Sequence, residues 1–174
     1  MEWEFSLLYA LQEIHNPILD EIMLFISSLA DVGWFWIATG VICLCFKKHR
    51  KMGFQLLLSM LCTLIIGNVI LKNVFARPRP CDIDTAVQLL LARPHGHSFP
   101  SGHSINSMSA AVAIFLCNKK IGIPALILAG LIGFSRMYLF VHFPTDVIGG
   151  FVIAILVAIG VDYALREIQI RRAK

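Results

Sequence analysis

The run MGFQLLLSMLCTLIIGNVIL, Met52 to Leu71, is 20 residues long and carries no charge. As a helix rising about 1.5 Å per residue it would reach roughly 30 Å, the thickness of a bilayer's hydrocarbon core. Its reading decides the class of fold, because a soluble domain has few places to hide such a segment. The whole chain agrees: of 174 residues, 57% are hydrophobic and 15% charged, with a mean hydropathy of +0.75. Soluble domains are about one quarter charged. The expectation is an all-α protein, a polytopic membrane bundle of about five transmembrane helices, with residues 1–174 forming one membrane-embedded domain.

Working outward, four further apolar runs qualify: Val32 to Phe46, Ser104 to Asn118, Ile121 to about Val141, and about Val147 to Leu165. Several fall short of the ~17–25 residues usually needed to cross, so their polar ends must lie near the headgroup layer. Upstream, residues 2–14 mix Trp3, Leu7, Leu8, Leu11 and Ile14 with Glu2, Glu4 and Glu13, the pattern of an amphipathic helix on a membrane surface. After the break at Asn16-Pro17, residues 18–30 resume a helical pattern too short to span. Residues 1–30 are therefore predicted to be amphipathic N-terminal helices, and no cleavable leader is expected, since no basic stretch precedes an apolar one. Within the long connection 72–103, residues Asp84 to Ala92 carry the pattern of one more short helix.

The charges sort by side. Lys47, Lys48, Arg50, Lys51, Lys119, Lys120, Arg166, Arg171, Arg172 and Lys174 all fall in loops or ends on one side, which the positive-inside rule makes cytoplasmic. The protein is thus expected in the cell membrane, C-terminus inside, with the 72–103 connection extracytoplasmic. A basic balance distributed in this way points to membrane topology and not to nucleic acid. Four of the five cysteines, Cys43, Cys45, Cys62 and Cys117, lie in apolar runs, and Cys81 has no evident loop partner, so no disulfide is expected.

The remaining cations, Lys72, Arg77, Arg79, Arg93 and Arg136, lie on the side that should be poor in them. Three clusters meet there: Lys72 with Arg79-Pro80; Pro100-Ser101-Gly102-His103; and Ser135-Arg136 with His142 and Asp146. Lys72, Arg79 and Arg136 offer fixed charge and forked donors for phosphoryl oxygens. Ser101 stands as N-cap to a helix whose first free N–H groups, at Gly102 and His103, favour an anion. The imidazoles of His103 and His142 can divide the roles of nucleophile and general acid. Asp146, four residues after His142, is within reach of one ring nitrogen and would orient it. His97 and Arg77 are secondary candidates for phosphate contact, and Arg93 for a second phosphate or headgroup. His95, His97 and His103 lack a partner ligand at zinc spacing, and cations surround them, so neither a metal nor any other cofactor is expected.

These three motifs, complete and in order, resemble the type 2 phosphatidic acid phosphatase superfamily. The resemblance implies a metal-independent membrane phosphatase with an extracytoplasmic site. It implies that His142 attacks phosphorus to form a phosphohistidine, that His103 protonates the leaving oxygen, and that Asp146 supports His142. Lys72, Arg79, Ser101, Gly102 and Arg136 would bind the phosphate. The partner expected is a lipid phosphate held in the bilayer, with undecaprenyl pyrophosphate preferred and phosphatidylglycerophosphate and phosphatidic acid as competitors. Two other readings stand beside it: a vanadate-using haloperoxidase, which the apolar spans oppose, and a catalytically silent lipid-phosphate binder or transporter, which would not need His142 with its own orienting acid.

Overall fold

The fold was analysed in a computed structural model that describes residues 2–172, so Lys174, counted above among the inner cations, lies outside the described residues. Every element is helical among those residues. Helix α1 covers Glu2–Glu13 and α2 Pro17–Ser28; a 3-10 turn at Asp31–Gly33 leads into α3, Trp34–Cys45. Helix α4, Arg50–Thr63, continues as a π-helical stretch, Leu64–Leu71, and ends in the single turn α5, Lys72–Phe75. After the short α6, Pro80–Ile83, and an irregular loop come α7 (Gly102–Cys117), α8 (Lys119–Tyr138) and α9 (Pro144–Arg172).

Three stretches are long and apolar enough to cross a membrane: Arg50–Ile83, Lys119–Tyr138 and Pro144–Arg171. A fourth exists if α2 and α3, bent by 43° at their break, count as one broken span; the apolar α7 is shorter. Helix α2 packs on α8, and its Ser27 is buried against Arg136. One expectation needs correction. Residues 84–92 form no helix. Asp84 instead turns the chain locally, accepting from the Ala86 N–H at 3.0 Å, and Val87, Leu89 and Leu91 pack irregularly against the cluster around Phe140.

Helix α7 is the hub, packed on α4, α8 and α9. Its interior face is serine and alanine, with Ser104, Ser107, Ser109, Ala110, Ala111 and Ala113 fully buried. Lipid is as apolar as leucine, so helices associate in a bilayer through close packing and hydrogen bonds. Both are present. Trp36 Nε1 of α3 donates to Ser107 Oγ at 2.9 Å, and Thr63 Oγ1 of α4 lies 3.2 Å from Ser109 Oγ. Gly122 lets α8 approach so closely that a Cβ there would stand 2.2 Å from the Phe115 Cα. All five cysteines are free. At one end, Lys48, His49, Lys51, Asn118, Asp162 and Arg166 line a common cavity, so the basic loops do gather together. The three motif clusters occupy the other end.

Candidate active site

The segment carrying His142 is built by the way α8 stops. Leu139 caps the helix, and Phe140 follows in the left-handed region (φ 57°), an uncommon conformation for a bulky residue. The N–H groups of Val141 and His142 then both turn back to the Arg136 carbonyl, at 3.2 and 3.3 Å. Phe140 is fully buried, tilted against Phe5 and Tyr9 of α1. Packing there holds a backbone that the sequence alone would not choose. The opposing loop, 97–101, is seated on α9 through Phe99, whose ring lies where a Cβ on Gly149 would be, at 2.4 Å.

His142 is 2% exposed and has a partner on each ring nitrogen. Nε2 stands 3.0 Å from Arg79 Nη1, and Nδ1 stands 3.3 Å from Ser98 Oγ. A guanidinium can only donate, so Nε2 is the acceptor and Nδ1 carries the proton. Ser98 in turn donates its hydroxyl hydrogen bond to Asp146 Oδ2 at 2.5 Å, and that oxygen lies 3.7 Å from His142 Nδ1. The acid thus reaches the imidazole chiefly through a hydroxyl. Burial, above all, holds the His142 pKa down from 6.5 to about 3, with Arg79 and Arg136 adding to the effect and Asp146 opposing it. The ring is therefore neutral, with its Nε2 lone pair aimed at a cation.

Arg79, 3% exposed, also donates through Nε to the Gly96 carbonyl at 2.9 Å, through Nη1 to Val141 O at 3.1 Å and through Nη2 to His95 O at 3.3 Å. Of the five N–H groups of a guanidinium, one on Nη2 is left for a ligand. Ser101 caps α7 as predicted, accepting from the Ser104 N–H at 3.4 Å and the Ser104 hydroxyl at 2.9 Å. The N–H groups of Gly102 and His103 therefore remain at the helix start without an intrahelical acceptor. Lys72 Nζ would lie 3.6 Å from a Cβ on Gly102, and Lys72, Gly102 and His103 line one cavity of about 280 Å³ with Asn68 and Asn106. Arg136, 5% exposed, donates to Ser27 Oγ while its Nε has no partner among the described residues. It shares a second cavity with His103 and Asp31.

The structure thus brings Lys72, Arg79, Ser101, Gly102, His103, Arg136, His142 and Asp146 to one end of the bundle. Arg77 is tied into a carboxylate network: Nη1 donates to Asp146 and Thr145 and Nη2 to Glu4, which leaves Nε–H and one N–H on Nη2 without a partner among the described residues. Arg93 lies 3.5 Å from Asp82 in an exposed ion pair. His97 is half-buried, and its neighbour Ser98 is pinned by N–H to the Arg77 carbonyl at 2.8 Å. The sequence reading missed Ser98, and also Asp31, whose Oδ1 lies 2.9 Å from His103 Nε2. Their partners lie 44 and 72 residues away, so no local spacing announces them.

Fold and site together define a multi-pass helical membrane protein with a cationic, imidazole-bearing pocket at one end. The chain belongs to the PAP2 superfamily, whose model matches residues 52–169. It is similar to the undecaprenyl-diphosphatase of Sulfolobus acidocaldarius, 35% identical over 136 residues that take in 78% of this chain but only 65% of that protein. It is also similar to undecaprenyl-diphosphatase BcrC of Bacillus subtilis, 34% identical over 143 residues, 82% of this chain and 73% of the relative. Among solved structures, the transmembrane PAP2 type phosphatidylglycerolphosphate phosphatase from Bacillus subtilis superposes with a TM-score of 0.80. That match has 28% identity and covers 96% of this chain and 86% of the other.

Proposed function

We propose that the protein is a metal-independent lipid phosphatase working through a phosphohistidine at His142. One observation carries the reading: a buried, neutral imidazole presents its Nε2 lone pair to the Arg79 guanidinium, from which it accepts a hydrogen bond. A phosphoryl group drawn to Arg79 would arrive in line with Nε2. Lys72, Arg136, the spare Arg79 N–H and the N–H groups at the start of α7 would take the charge spread over its oxygens. Nε2 then bonds to phosphorus as the bond to the leaving oxygen breaks. His103 gives that oxygen its proton, and positive charge on the His142 ring is matched by Asp146 through Ser98. Water next attacks the phosphohistidine, His103 takes back a proton, and phosphate leaves with the ring neutral again.

The substrate we infer is undecaprenyl pyrophosphate, which the names of two relatives support, with phosphatidylglycerophosphate as the competitor that the structural neighbour's name raises. By the distribution of basic residues, the site faces the extracytoplasmic side of the cell membrane and the C-terminus lies in the cytoplasm. The test is phosphate release by the detergent-purified protein from undecaprenyl pyrophosphate, phosphatidylglycerophosphate and phosphatidic acid, with excess EDTA present. Release is expected from the first above all, unaffected by EDTA, and lost by at least ~10³-fold in His142→Ala. A folded protein that binds these lipids but turns none of them over would establish the silent binder in its place.

A further inference from the structure

Asp146 has two carboxylate oxygens with divided duties. Oδ2 accepts from Ser98 Oγ and from the Phe143 N–H at 2.8 Å, and faces His142. Oδ1 accepts from Arg77 Nη1 at 2.6 Å. Arg77 is itself held at three further points. Nη1 also donates to Thr145 Oγ1 at 2.7 Å, Nη2 donates to Glu4 Oε2 at 2.7 Å, and its guanidinium carbon lies 4.2 Å above the Phe143 ring. Thr145 closes the loop by donating to Glu4 Oε1 at 2.6 Å. Both oxygens of Glu4 are therefore used. Its side chain is 5% exposed and that of Asp146 is not exposed at all.

A glutamate this buried on an otherwise half-wet helix calls for a reason. The rest of α1 is fastened to the same short segment: Phe5 meets the Phe143 ring edge-on at 5.3 Å, and Gln12 Nε2 donates to the Tyr138 carbonyl at 3.0 Å. Leu8 is fully buried in the cluster around them. We propose that Glu4 and Arg77, joined by Thr145, are positioning residues that fix the Asp146 carboxylate and, through it, aim the His142 nucleophile. Helix α1 thereby acts as the outer end of the catalytic hydrogen-bond chain. The charged groups facing His142 and Asp146 are Arg79 before α6, Arg136 from α8, Arg77, and Glu4 from α1. Glu4 keeps Arg77 from neutralising Asp146 alone, so that the carboxylate retains charge for the imidazolium-like ring that forms on phosphorylation.

This rests on the phosphohistidine reading above. The experiment is steady-state kinetics of Glu4→Gln, Glu4→Asp, Arg77→Lys and the double variant E4Q/R77K, run beside the wild-type protein and H142A. Glutamine keeps a hydrogen-bonding group beside Arg77 and removes only the charge, and thermal unfolding of each variant checks the fold. The expected result is kcat lower by roughly 10-fold in E4Q and in R77K, with KM within about 2-fold because the phosphate-holding groups are untouched. Recovery in E4D should be at least partial, and the double variant should be no worse than the poorer single one, since both cut the same chain. An unchanged kcat in E4Q and R77K with an active wild type would overturn the inference while leaving the phosphatase intact. So would losses that multiply in the double variant, or that disappear when assays are run at a temperature where every variant is fully folded. A wild-type protein silent on all three lipids would overturn both readings together.

Discussion

At the scale of single residues, chemistry at this site depends on which hydroxyl or carboxylate stands behind each charged group. The sequence shows His142 and Asp146 at a spacing of four and invites a direct pair. In the structure the direct distance is 3.7 Å, beyond a hydrogen bond, and Ser98 fills the gap. Removing that hydroxyl by Ser98→Ala should therefore leave lipid binding intact and lower kcat by roughly 10-fold, as a misaimed nucleophile would. A KM that rose in parallel would instead place Ser98 among the phosphate ligands. His103 shows the same logic, with Asp31 behind it. That Lys72, Arg79, Ser101, Gly102, Arg136 and the two histidines would share one end was legible, because motif order and helix-end placement mark them. Ser98, Asp31, Glu4 and Thr145 were not legible, because each acts on a group contributed by a remote part of the chain. Arg77, beside Arg79, reads from the sequence as one more ligand for phosphate, and only the fold brings Glu4 and Asp146 to it.

Helices were read well where length and apolarity decide, as for α4, α8 and α9, and less well where contacts decide. Residues 84–92 have the composition of a helix, yet tertiary packing of Val87, Leu89 and Leu91 won over propensity. Helix α2 was legible as a helix too short to span alone, but the burial of its Ser27 against Arg136 of α8 was not. The break between α2 and α3 holds a conformational cost. Val32 sits at φ 55°, a β-branched side chain in the left-handed region, and is 93% exposed, so nothing packs against it in return. Val32→Gly should accordingly raise the unfolding temperature of the purified protein by about 3 °C, from ~1 kcal/mol of relieved strain. An unchanged or lower unfolding temperature would mean that the valine methyls contribute more through lipid contact than the backbone loses.

For the whole molecule, the division of charge predicts topology. The cavity of Lys48, His49, Lys51 and Arg166 lies at one end, and the motif cations lie at the other. In a variant freed of its native cysteines, a cysteine at the exposed position Thr85 should react with a membrane-impermeant maleimide in intact cells. One at the exposed position Lys48 should react only after the cells are opened. The reverse pattern would turn the site toward the cytoplasm and leave the substrate in the other leaflet.

The π-helical stretch Leu64–Leu71 makes the site depend on how a helix winds as well as on chemistry. Its last bond runs from the Lys72 N–H to the Gly67 carbonyl, a reach of five residues where an α-helix uses four. One surplus residue is thereby stored between the deep part of α4 and the ammonium that faces Gly102. The apolar letters of the stretch are interchangeable in principle, but its winding is not. Winding the same residues as an ordinary α-helix would swing Lys72 by roughly 100° around the axis, from the cradle toward lipid, whereas losing one residue together with the π winding would leave its direction nearly unchanged. The cradle is thus phased by how the helix winds, and a membrane helix of the same length wound as α throughout would be a good span carrying its lysine on the wrong side.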